Sequence, residues 1–240
     1  MTGNVGNINT WLDQIHHEYK TAVSVDCVIF GYDYTALKIL LIPCDMPPFE
    51  HTLSLLGDLV QPNETTDEAA HRVLRSRTGL DDIYLEQVLA FSGLKRHPLG
   101  RVITISYYSL IKLDDDNLLQ ITKNHGLIWK DVKEIHELAF DHKNIMDICL
   151  ERLQRNLREH PIGFKLLPSE FTLNQLQTLY EVVLGMEFDK RNFRRKLSQL
   201  QILIPTGDLQ KDVSHRPAKL YYFDQSAFEE KIRNGFSFGL

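Results

Sequence analysis

Residues 57–80 read GDLVQPNETTDEAAHRVLRSRTGL, and no other stretch constrains the fold as much. A polar loop containing a proline leads into Thr66–Thr78, where Ala69, Ala70, Val73 and Leu74 recur at helical spacing. Runs rich in β-branched and aliphatic residues surround this loop and helix. VSVDCVIF (23–30) and KILLIP (38–43) read as strands around a turn at GYDYTA. Residues 85–91 and 102–113 read as further strands, separated by the loop SGLKRHPLGR. Residues 144–159 read as a helix, with Ile145, Ile148, Cys149 and Leu153 at helical spacing. The first 160 residues are therefore mixed α and β. HPIGFKLLP then interrupts the pattern, and its prolines and glycine mark a linker.

A different module follows. Thr172 and Gln175 form a capping box, and Leu173, Leu176, Tyr180 and Val183 supply the apolar face of the helix it starts. Gly185 is placed to end that helix, and Asp189 to cap a second one. In the second helix Phe193, Leu197 and Leu200 face one way, while Arg191, Arg194, Arg195 and Ser198 face the other, with Lys190 at its start. Residues 201–204 and 220–223 read as two strands bracketing a hairpin with Lys211, His215, Arg216 and Lys219. This is a helix–turn–helix with a basic second helix and a basic wing. An ordinary solvated helix face is the plainer alternative, but here two basic clusters coincide on the elements that would meet DNA.

Charge agrees with the division. The chain carries a net −5, yet residues 161–240 hold 11 Lys+Arg against 9 Asp+Glu, leaving −7 on the remainder. A relatively basic C-terminal third suits an anionic partner. No run approaches the roughly 20 apolar residues needed to span a bilayer, so no membrane association is expected. The start, MTGNVGNINTWL, lacks the basic and apolar segments of a secretory signal. Cys27, Cys44 and Cys149 form neither a disulfide framework nor a metal-ligand pattern, which suits reduced thiols in the cytoplasm.

The stretch from Gly57 resembles the Nudix box of the Nudix hydrolases. Glu64 fills the first glutamate position, Arg72 the arginine, Leu74 the aliphatic position, and Gly79–Leu80 close the motif. Asp58 replaces the opening glycine, although Gly57 sits beside it, and Val73, Ser76 and Arg77 replace the three glutamates of the helix. Three carboxylates at those positions would hold Mg²⁺, polarising a diphosphate and activating water. Valine offers no ligand, and Arg77 brings positive charge to the metal's place. Like charges 4 Å apart repel by roughly 4 kcal/mol at an effective dielectric of about 20. No catalytic residue, metal or cofactor is therefore assigned, and Arg72 with Glu64 reads as a loop fastening. A pocket without that chemistry can still bind a ligand. Asp26 interrupts an apolar strand, and Lys95, Arg96, His97 and Arg101 lie in a loop bordering the cleft. A salt-bridged Asp26 and a solvated loop are the alternatives.

A degenerate Nudix domain followed by a winged helix resembles the Nudix-related transcription regulators, and GFKLLPSEFTLNQLQTLYEVVLG…DKRNFRRKL carries the second half of that resemblance. It implies an α/β/α sandwich over 1–158 and a winged helix–turn–helix over 159–240. It further implies a homodimeric repressor on a near-palindromic operator, released by a small molecule. Resemblance to the arabinose-responsive branch puts L-arabinose first as effector and ADP-ribose second. A Nudix hydrolase using Asp58 and Glu64, and a winged-helix protein adaptor, are the rival readings.

Overall fold

β1 (Ala22–Tyr32) is the spine of the first half. The structure, a computed structural model, describes residues 20–80, 83–98, 100–113, 126–211 and 216–234. β1 runs parallel to β6 (Val102–Lys112) over its whole length, from Ala22 opposite Val102 to Tyr32 opposite Lys112. Its other edge is shared. β4 (Leu56–Leu59) pairs with its first half, and β2 (Leu37–Pro43) with its second. β5 (Glu86–Phe91), β3 (Leu53–Ser54) and β7 (Ile128–Asp131) complete a mixed seven-stranded sheet.

The two-residue period of β1 sorts its side chains. Val25, Cys27 and Ile29 meet Ala69, Ala70, Val73 and Leu74 of helix α1 (Thr66–Thr78). Val28, Phe30 and Tyr32 meet Ile145, Cys149 and Leu153 of helix α2 (His142–Glu159) on the other face. The result is the expected α/β/α sandwich. Asp26 falls in the α2-facing set, which decides its partners. α1 begins where expected because Thr65 and Glu68 form a capping box, and it ends at Gly79, whose φ of 73° suits glycine.

HPIGFKLLP is packed, which corrects its reading as a linker. Pro161–Leu166 forms a short 3₁₀ helix, and Phe164, Leu166 and Leu167 are buried in the core that α2 shares with the second half. A Cβ on Gly163 would lie 2.9 Å from Leu157 and 3.1 Å from Leu179, so glycine lets the segment press between two helices. Proline and glycine signalled the break in α2, but not the apolar residues' partners. Leu153 and Leu157 are fully buried beneath this junction, each contributing about 1.5–3 kcal/mol.

Beyond it, β8 (Phe171–Thr172), α3 (Leu173–Leu184), α4 (Lys190–Leu200), β9 (Leu203–Leu209), β10 (Lys219–Phe223) and α5 (Gln225–Arg233) form a winged helix. Its sheet has the order β8-β10-β9. β9 begins later and runs further than the expected 201–204. Gln201 closes α4 in a left-handed conformation, and Pro205 is tolerated because β9 is an edge strand.

Candidate nucleic-acid interface and ligand cleft

Arg72 fastens the loop ahead of α1. Its Nη2 donates to Glu64 Oε1 at 2.7 Å and to the Leu59 carbonyl at 2.9 Å, its Nε to Glu64 Oε2 at 2.9 Å, and its Nη1 to Asp58 Oδ2 at 2.8 Å. Glu64 also accepts the Gln61 N–H. Arg72, helped by that N–H, holds the Glu64 carboxyl below its usual range. The two acids that could serve a displaced metal site are thus already paired with one guanidinium. Val73 is buried in the core, whereas Ser76 and Arg77 are exposed. Among the described residues no group of three or more His, Cys, Asp or Glu side chains is arranged to hold a metal ion.

Asp26 is buried between β1 and α2. His142 Nε2 lies 3.4 Å from its Oδ2, and Arg96 Nη2 lies 3.8 Å away. The Leu55 N–H donates to His142 Nδ1 at 3.1 Å, so the ring proton sits on Nε2, toward Asp26. Burial pushes the Asp26 carboxyl above the usual carboxylate range, against the opposing pull of His142 and Arg96. A Cβ on Gly57, directly opposite in the sheet, would collide with Asp26 Oδ1, which explains that glycine.

The basic loop is largely committed to the fold. Arg96 donates from Nε and Nη2 to the Asp141 carboxylate at 2.9 and 2.7 Å, and from Nη1 to Thr104 Oγ1. Arg101 donates to the Ser92 and Gly93 carbonyls, closing the loop on itself. His97 stacks on Phe140, with ring centroids 5.1 Å apart. Lys95 is exposed. Asp26 and Arg96 therefore meet, as the salt-bridge alternative anticipated, but inside the protein.

A cleft of about 640 Å³ opens elsewhere, between the start of α1 and the β5–β6 edge. Asp67, His71, Tyr84, Glu86, Gln87 and Tyr107 line it, and among the described residues no lysine or arginine does. Tyr107 Oη donates to Asp67 Oδ1 at 2.6 Å, and burial together with that bond pushes its pKa up to about 12. Tyr84 is 75% exposed. None of the five residues expected to bind effector lines this cleft. An exposed tyrosine beside a carboxylate in IYLEQ was the available signal, but it is a weak one without the sheet.

The basic helix is as expected. Asp189 caps α4 by accepting the Asn192 N–H at 2.8 Å. Phe193, Leu197 and Leu200 are buried, while Lys190, Arg191, Arg194, Arg195 and Ser198 are exposed. Arg194 Nη2 donates to Asn174 Oδ1 at 2.9 Å, and Arg191 and Arg195 make no ion pair among the described residues. Lys211, Arg216 and Lys219 of the wing are exposed, and His215 lies outside the described residues. These groups form an electropositive surface with donors suited to base edges and phosphates.

Residues 163–223 match the NrtR DNA-binding winged helix domain. The chain is 34% identical over 205 residues to the ADPR responsive transcriptional repressor NtrR of Acinetobacter baylyi, covering 84% of this chain and 81% of that one. It is 30% identical over 125 residues to the ADP-ribose pyrophosphatase of Methanocaldococcus jannaschii, covering 52% of this chain and 70% of that one. The crystal structure of Shewanella oneidensis NrtR in complex with a 27mer DNA superposes with a TM-score of 0.71 at 28% identity, covering 86% and 95% of the two chains. No described helix is long and apolar enough to cross a membrane.

Proposed function

Since the chain belongs to the NrtR-like family of Nudix-related transcriptional regulators, we propose that it is a repressor whose hold on DNA is set by a small molecule bound in the Nudix-like half. The observation that carries this is the pair Arg191 and Arg195, exposed on the second helix of a helix–turn–helix with no acid among the described residues in an ion pair with them. Lys190, Arg194 and Ser198 extend the reading face, and Lys211, His215, Arg216 and Lys219 supply the wing's phosphate contacts. Residues 1–158 act as the effector half and 159–240 as the DNA-binding half. Two copies place two α4 helices in successive major grooves of a near-palindromic operator, about 34–36 Å apart or a multiple of that.

The relative's named effector puts ADP-ribose first for this chain, ahead of L-arabinose, which reverses the order implied by sequence resemblance. A pentose remains the second reading for a specific reason. Among the described residues the 640 Å³ cleft carries Asp67 and Glu86 without a lysine or arginine, which suits hydroxyl groups better than a diphosphate. We assign no hydrolase activity, because Val73, Ser76 and Arg77 stand where metal ligands would be and Arg72 already pairs with both Asp58 and Glu64. α2 touches Asp26 through His142 at one end, and through Gln154, whose Nε2 donates to the Val183 carbonyl at 3.0 Å, it touches α3 at the other. An effector weakens DNA binding only if it prefers the arrangement that fits DNA poorly.

The test is fluorescence anisotropy with a duplex enriched from a random pool by the protein itself. Affinity is expected to fall steeply with salt, and ADP-ribose, or failing that L-arabinose, to release the duplex at millimolar concentration or below. Metal-dependent turnover of ADP-ribose above about 1 s⁻¹ would favour the hydrolase reading instead. Salt-independent binding would favour the adaptor.

A further inference from the structure

The turn between α3 and α4 is held by two side chains that lie off the reading face. Gln177 is buried in α3, and its Nε2 donates to Glu181 Oε1 at 2.8 Å and to the Phe188 carbonyl at 3.0 Å. The same Glu181 oxygen accepts the Phe188 N–H at 2.9 Å. The Glu181 carbonyl accepts the N–H groups of Gly185 and Met186. Phe188 is thus gripped at both its N–H and its carbonyl by side chains one turn apart on α3. The next residue is Asp189, whose carboxylate caps α4. Hydrogen bonds on Phe188, the peptide bond to Asp189 and the Asp189 cap thus connect α3 to the first turn of the basic helix.

The orientation of the amide is forced. Both of its partners are acceptors, so the NH₂ group has to face them. Gln177 Oε1 is then buried with no hydrogen-bond partner among the described residues. Burying an acceptor in that way lowers stability, and an apolar side chain of similar size would avoid the loss. The benefit of the amide is geometric. A tilt of about 5° moves the far end of an eleven-residue helix by roughly 1.4 Å at 1.5 Å rise per residue. Bidentate contacts to base edges do not survive such a shift, whereas contacts to phosphates through long flexible side chains do.

We propose that Gln177 and Glu181 are positioning residues that set the angle of α4 against α3, and through it the discrimination between operator and other DNA. The proposal rests on the DNA-binding reading above. It is tested with the full chain, the enriched duplex and a scrambled version of it, by anisotropy at two salt concentrations, with melting temperature measured alongside. Gln177→Leu is expected to melt at or above the parent's temperature and to lose at least fivefold in the enriched-to-scrambled affinity ratio. Its affinity for the scrambled duplex stays within twofold, and its salt slope is unchanged. Glu181→Ala is expected to lose the ratio in the same way. Glu181→Gln, whose amide oxygen still accepts both bonds, restores it to within twofold of the parent. Should Gln177→Leu fail to fold, the Glu181 pair carries the same comparison on a half-buried side chain. Folded variants that keep the parental ratio within twofold overturn the positioning role alone. A parent that enriches no duplex overturns the DNA-binding reading itself.

Discussion

The loop at 92–101 and helix α4 look alike in sequence and end up with opposite roles. Each has a short run of basic residues next to apolar ones, and each reads as a place where an anion binds. In the loop, Arg96 is only 5% exposed at its side chain and meets Asp141, Asp26 and Thr104. In α4, Arg191 and Arg195 stand in solvent. The difference arises because the parallel pairing of β1 with β6 carries Asp26 to the base of the loop, and the start of α2 brings Asp141 beside it. A basic cluster points to an outside partner only where the fold supplies no acid to meet it. Arg72, enclosed by Asp58 and Glu64, follows the rule of the loop.

The largest expected effect tests the loop's side of this comparison. Arg96→Ala leaves Asp26 and Asp141 without their cation in a largely buried site, which costs about 3–5 kcal/mol of stability. Urea unfolding at neutral pH measures it, and a loss below 1 kcal/mol would mean that the loop is not committed to the fold. A smaller effect is expected on α4, and on binding rather than folding. Arg191→Ala and Arg195→Ala should each weaken binding of the enriched duplex about tenfold, or about 1.4 kcal/mol. Their unfolding should stay within about 0.5 kcal/mol of the parent, as for exposed substitutions generally. Stability loss without a binding change would reverse the comparison. The smallest effect belongs to the wing. Lys219→Ala should lower the salt slope of DNA binding by about one unit, with little change in sequence preference, as anisotropy across a salt series would show.

Local patterns made much of the fold legible. The helical spacing of Ala69, Ala70, Val73 and Leu74, the capping box at Thr172 and Gln175, Gly185 at a left-handed helix end, and Asp189 as a cap all appear where the residues indicated. Each of these is settled within one turn of chain, where backbone geometry and the nearest side chain decide. The linker reading failed because Phe164, Leu166 and Leu167 are buried in a core that α2 and α3 build together, and proline and glycine signals say nothing about how two helices assemble in space. The cleft beside α1 stayed hidden for a similar reason. It joins Asp67 and His71 of α1 to Glu86 and Gln87 of β5 and Tyr107 of β6, residues that only the sheet order makes neighbours.

By itself the sequence determined that α1, α2, α3 and α4 are helices and that β1, β2, β5 and β6 are strands, that the acids of a metal site are absent at 73, 76 and 77, and that α4 turns Arg191, Arg194 and Arg195 away from its apolar face. Periodicity, capping and residue chemistry suffice for these because they act over a few residues. The tertiary structure alone decided which charges remain available. It buried Asp26 against His142 and Arg96, and left Arg191 and Arg195 in solvent. Coulomb attraction depends on distance in space, and strand pairing set those distances between residues far apart along the chain.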